Sequence, residues 1–160
     1  MKKLLIALGV AIMALATSCT PDAAGVDGRW NGYREDRPDD YFVSCFFKDN
    51  SSVEMWIIAW GEKYTGTYTV NGSNLTVTVD KAWRSEKRDE NSREWGMANG
   101  SITSQETFAL GEGFQWYPLE GQEFEDRHQE ISDSFAIVLD SATTGHGTCL
   151  GFQLSFSKAK

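Results

Sequence analysis

The sequence predicts an all-β domain: an antiparallel up-and-down barrel of about eight strands, with a two-sheet β-sandwich as the alternative. Three observations predict it. Short runs rich in Val, Ile, Thr and aromatic residues recur from residue 28 onward, separated by Gly, Asn, Asp and Ser. No long amphipathic helical repeat interrupts them. One hairpin near the middle of the chain is spelled out almost residue by residue.

That hairpin runs from Lys63 to Val79. Tyr64, Gly66, Tyr68 and Val70 alternate with Lys63, Thr65, Thr67 and Thr69, Asn71-Gly72-Ser73-Asn74 supplies the turn, and Leu75-Thr76-Val77-Thr78-Val79 alternates back. Each strand has one apolar and one threonine-rich face, so one side of the sheet is buried and the other wet. An earlier pair, Tyr41–Lys48 and Val53–Trp60, reads as a second hairpin around Asp49-Asn50-Ser51-Ser52. Residues 84–94 are almost wholly charged or polar and read as a long exposed loop, with a short solvated helix as the variant reading. Ile102–Leu110 reads as a weaker strand, Gly111–Gln122 as a Gly-rich aromatic connection, and Glu123–Ser132 as an acidic segment with a turn of helix. Ser134–Asp140 and Thr148–Ser157 close the chain as strands, joined by Ser-Ala-Thr-Thr-Gly-His-Gly.

The first 27 residues read as address and tether. Met1-Lys2-Lys3 is followed by an uncharged stretch from Leu4 to Ala16, then Thr17-Ser18-Cys19 and a polar Thr20-Pro21-Asp22. This is a signal peptide in order, and its apolar stretch is well short of the roughly 20 residues a membrane-spanning helix needs. Leu15-Ala16-Thr17-Ser18-Cys19 resembles the lipobox of bacterial lipoproteins, which implies that residues 1–18 are removed and that Cys19 is acylated. Two or more acyl chains would hold the protein stably on a membrane, and the implied location is the bacterial cell envelope, at the outer membrane. Residues 19–27 then form a lipidated tether, and residues 28–160 one domain.

Removing 18 of the 160 residues leaves 142, with 13 basic and 23 acidic side chains, a formal charge of −10. Such a surface repels phosphate backbones and argues against nucleic acid as a partner. With Cys19 assigned to lipid, Cys45 and Cys149 remain as one available disulfide pair in a compartment where disulfides persist. Closure of the barrel would bring their strands together, but Cys149 alternates onto the polar face of its strand, so the bridge requires Cys45 to point outward too. The pairing stays open at this stage.

Gly28-Arg29-Trp30, just before the first predicted strand, resembles the Gly-x-Trp signature of lipocalins, whose Trp closes the base of the barrel. The segment from Tyr64 to Val77 is similar to the Gly-Thr-Tyr, turn, Leu-Thr hairpin of lipocalin-like lipoproteins common in Bacteroidota. The resemblance implies a lipocalin-like barrel. The basic residue that lipocalins set against that Trp finds only Lys158 as a counterpart.

Little in the sequence points to catalysis. His128 and His146 lie in no metal-ligand spacing, no nucleophile elbow or phosphate-cradling loop appears, and neither a cofactor nor a metal is expected. Gly145-His146-Gly147 reads as a turn. Six tryptophans are the informative excess. Trp56 and Trp60 share one face of a predicted strand, and with Tyr64 and Tyr68 they are the expected lining of a lumen that takes a small apolar or amphipathic molecule. Trp83, Trp95, Phe114, Trp116 and Tyr117 sit at loop edges, where a barrel mouth would be. Trp83 and Trp116 join the candidate binding set, as lumen lining or as stacking platforms for glycans. A third expectation is a non-enzymatic envelope accessory protein whose barrel is filled with its own side chains.

Overall fold

The computed structural model describes residues 25–88, 93–95, 110 and 112–160. The signal peptide, Cys19, the tether up to residue 24 and the strand expected over Ile102–Leu110, apart from its last residue, lie outside the described residues.

Among the described residues, ten strands and one helix follow in chain order: β1 (Gly28–Arg34), β2 (Arg37–Phe47), β3 (Ser52–Ile57), β4 (Glu62–Asn71), β5 (Asn74–Arg88), β6 (Arg93–Trp95), β7 (Gln115–Pro118), α1 (Gly121–Ser134), β8 (Ala136–Leu139), β9 (Thr144–Cys149) and β10 (Phe152–Lys158). A single 3-10 turn, Ile58–Trp60, separates β3 from β4. The first five strands pair successively, β5 pairs β8, β8 pairs β9, β9 pairs β10, and β10 closes onto β1. Every pairing is antiparallel. The result is the expected up-and-down barrel, closed with eight strands, while β6 and β7 pair with the far half of β5 outside the ring. Closure removes the free edges that a sandwich would leave.

The barrel has two ends. The base rim carries the start of β1, the end of β10 and the turns at 48–51, 72–73 and 140–143; the opposite rim carries the turns at 35–36, 58–61 and 150–151 and is covered by α1. The hairpin of β4 and β5 follows the expected register, Tyr68 opposite Val77 and Val70 opposite Leu75, with a bulge at Thr65/Gly66. Inward positions form layers across neighbouring strands. Trp30 faces Cys45, Cys45 faces Met55, Met55 faces Tyr64 and Tyr64 faces Ala82, and all five are at most 2 % exposed. With Leu75, Ile137, Leu154 and Phe156 they belong to one continuous core cluster.

Gly28-Arg29-Trp30 lies inside β1 rather than ahead of the first strand. Trp30 is buried near the base, and its indole Nε1 donates to the Val26 carbonyl at 2.7 Å. Lys158 is the last residue of β10, directly opposite Trp30, and its Nζ donates to the Gly25 carbonyl at 3.0 Å. The incoming chain is thus pinned from Gly25 onward.

Several expectations need correction. Residues 84–88 are not loop: β5 continues to Arg88, with Arg84, Ser85 and Glu86 buried. Charge there signals inward ion pairs instead of solvent. The aromatic connection contains β7, and the acidic segment is a 14-residue helix. Its sparse apolar face hid it, since Ile131 is its only buried residue. The last strand is two: β9 and β10 form a hairpin whose turn residues, Leu150 (φ 51°) and Gly151 (φ 80°), both take positive φ, as a two-residue turn of this kind demands. Leu150 packs against the core, which offsets the strain of its left-handed backbone and kept the alternation unbroken. Gly145-His146-Gly147 accordingly sits within β9 rather than in a turn.

The disulfide pair left open by the sequence stands as two thiols in the structure. Cys45 and Cys149 are free thiols, both buried. With β1 present as a strand of its own, the barrel order places β1 and β10 between β2 and β9. Burial, with the charge of Cys149 adding to it, pushes the Cys45 thiol well above its usual range. Burial, reinforced by Glu130, pushes Cys149 up to about 12. Neither thiol should therefore react with an aromatic disulfide reagent in native protein at pH 8. Unfolding the protein should make both Cys45 and Cys149 reactive, whereas a bridge would leave both silent.

Candidate functional site

The six aromatic residues of the candidate binding set divide between the interior, the outer wall and the far rim. Tyr64 and Tyr68 point inward, as their alternation requires, and are core residues. Tyr68 donates its hydroxyl to the Lys48 carbonyl at 3.0 Å, and its ring stands edge-on to Phe47 at 4.9 Å. Burial, with Asp27 adding to it, pushes the Tyr68 phenol up to about 12. Trp56 lies on the outer face of β3, between Ser44 and Lys63 in register, with its ring 5.0 Å from Phe46. Trp60 is not on a strand at all; it sits on the 3-10 turn at the far rim, where the Arg127 guanidinium lies 4.8 Å from its ring centroid.

Trp83 and Trp116 do come together, on the outside. β4 places Lys63 opposite Trp83, and β5 places Ser85 opposite Trp116. The Lys63 ammonium lies 4.7 Å from the Trp83 ring centroid and 5.1 Å from that of Trp116, both within cation–π range. Beside this pair opens a cleft of about 340 Å³ lined by Asp80, Lys81, Trp83, Pro118, Leu119, Glu120, Gly121 and Phe124. Its size is that of a small-ligand site.

Local sequence explains the cleft. The bulge in β5 frees Asp80 from register, and Thr65 donates its hydroxyl to the Asp80 carboxylate at 2.8 Å. Pro118 ends β7, and the Leu119 N–H donates to the Ala82 carbonyl at 2.9 Å, holding the connection to α1 against the barrel. Trp83, Pro118, Leu119 and Phe124 give the cleft apolar surface, while Asp80, Glu120 and Lys81 give it two carboxylates and an ammonium. The cleft thus offers an apolar wall edged by charged groups.

Behind the cleft, the far rim holds a buried charge network. Glu62 faces inward opposite Arg84, and its Oε1 accepts from Arg84 Nε at 3.1 Å and Nη2 at 2.9 Å. Arg127 of α1 approaches the same oxygen with Nε at 3.3 Å, while Tyr64 donates its hydroxyl to Oε2. Arg84 also pairs with Glu123, and Arg127 with Glu130. Burial first, then the negative charge of Glu62, holds the Tyr64 phenol protonated far above its ordinary range. Glu62 thus ties α1 to the barrel through Arg127, which in turn stacks on Trp60 of the 3-10 turn.

No family model, curated protein or solved structure matches the chain. The site must therefore be read from its own chemistry. His146 Nδ1 is 2.9 Å from Asp140 on the exposed wall, and His128 lies against Phe124 at 5.6 Å. Among the described residues, no group of three or more His, Cys, Asp or Glu side chains is placed to hold a metal. The sequence reading missed Asp80, Lys81, Pro118, Leu119, Glu120 and Phe124, and also the Glu62 network. The alternation of Arg84, Glu86 and Arg88 continuing Ala82 was the available signal for the network.

Proposed function

We propose that this protein is a lipid-anchored component of the bacterial cell envelope, acylated at Cys19, whose barrel is a packed scaffold and whose binding site is the outer cleft. The ligand class is a sugar ring or a similarly amphipathic small molecule. The observation that carries this reading is Trp83, half-buried in the wall of a ligand-sized cleft, while the inward aromatic side chains Tyr64 and Tyr68 are engaged in the core. A planar indole stacks on the apolar face of a pyranose, and carboxylates such as Asp80 and Glu120 accept hydrogen bonds from its hydroxyls. The packed interior also supports a second reading, an accessory envelope protein that acts by contact and takes no small ligand.

Titration with a panel of soluble mono- and oligosaccharides separates the two. A binding partner should produce a saturable change in intrinsic fluorescence. Trp83→Ala should weaken that binding by a factor of about 30 or more, since truncating a central aromatic anchor costs about 2 kcal/mol or more. Binding that survives Trp83→Ala unchanged would move the site elsewhere, and no response across the panel would favour the contact reading.

A further inference from the structure

The geometry points to the base rim of the barrel as the surface this protein lays against an anionic phospholipid bilayer, with the cleft and α1 held on the side away from the lipid. The inference rests on the proposed acylation of Cys19. Its first ground is the length of chain between the anchor and the fold. The polypeptide is tied down from Gly25: Lys158 holds the Gly25 carbonyl at 3.0 Å, Trp30 holds the Val26 carbonyl at 2.7 Å, and Tyr68 donates to Asp27 at 3.2 Å. From Cys19 to Gly25 the chain spans at most about 20 Å, at about 3.5 Å per residue. A strand of the length of β2, 11 residues, tilted as barrel strands are, makes a wall about 28 Å high. The tether is shorter than the barrel and leaves from its base.

The second ground is charge. In α1, Glu123, Glu125, Asp126, Glu130 and Asp133 stand against Arg127 alone, a formal −4. At the chain ends and turns of the base rim, Asp27, Asp49 and Asp140 are balanced by Lys48, Lys158 and Lys160. Within a Debye length of about 8 Å, an anionic surface repels the helical end and tolerates the base. The turns there, Asn71-Gly72-Ser73-Asn74 and Asp140-Ser141-Ala142-Thr143, are polar and suited to headgroups.

The test uses the acylated protein purified from bacterial membranes and reconstituted in phosphatidylethanolamine–phosphatidylglycerol vesicles carrying an acceptor-labelled lipid. Cys45 and Cys149 are buried, so an exposed reporter cysteine can be labelled selectively at the base, Ala142→Cys, or on α1, Ser132→Cys. Energy transfer to the lipid should be strong from position 142 and several-fold weaker from position 132, and a long Gly-Ser insertion after Cys19 should reduce transfer from position 142. Equal or reversed transfer from vesicle-bound, acylated protein would overturn the base-down orientation while leaving the anchor intact. An intact mass without acyl chains would instead overturn the anchor, and the orientation with it.

Discussion

Glu62→Ala should destabilise the protein by about 3–5 kcal/mol, the usual consequence of removing one partner from a buried ion pair. The Glu62 side chain is 0 % exposed and that of Arg84 is 8 % exposed, so Arg84 cannot simply replace it with water, although the more open Arg127 partly can. Arg84 would keep Glu123 and Arg127 would keep Glu130, but the Tyr64 hydroxyl would lose its partner inside the core. A shift of the urea midpoint at constant slope is the measurement. Replacing both members by apolar residues, Glu62→Leu with Arg84→Leu, should recover part of the loss, because the Arg84 charge no longer has to stay buried with one of its two carboxylates missing. A single-variant loss below about 1 kcal/mol would mean that the network is wet and contributes little to holding α1.

The same residues show why half the molecule was legible in the sequence and half was not. Periodicity of two, broken by an Asn-Gly turn, describes the hairpin of β4 and β5 because each residue there obeys the rule that apolar side chains go in. Beyond the bulge the rule is inverted. Arg84 and Glu86 alternate inward as faithfully as Val77 and Val79 do, but their charge reads as surface, and the burial of Arg84 depends on partners 22 and 39 residues away in sequence. The helix was hidden for a related reason: Arg127, on the face that turns toward the barrel, is an ion-pair ligand, leaving Ile131 as the sole buried apolar mark. For the candidate site, an excess of tryptophan pointed to Trp83 and Trp116. Abundant carboxylates masked Asp80 and Glu120, which only the bulge and the end of β7 bring beside Trp83.

Gly147→Ala is expected to be among the most damaging single substitutions in the chain. A Cβ at this position would stand 1.9 Å from the Ala136 carbonyl oxygen and 3.1 Å from Ile137 Cα. Both are backbone atoms of β8, so no side chain can swing aside. β8 and β9 would have to separate, next to the thinnest seam of the barrel. β8 has four residues and meets β5 at two register positions, Asn74 opposite Val138 and Leu75 opposite Ile137. It is also the strand that returns the chain to the ring after β6, β7 and α1. Overpacking ordinarily costs about 1–3 kcal/mol, and here at least the upper end is expected, read as a fall in the urea midpoint. Gly25→Ala, with nothing within 4 Å of its added Cβ, should stay within about 0.5 kcal/mol of the parent. Equal midpoints for the two variants would show that β8 and β9 do not approach in this register, and the eight-strand closure would then have to be redrawn.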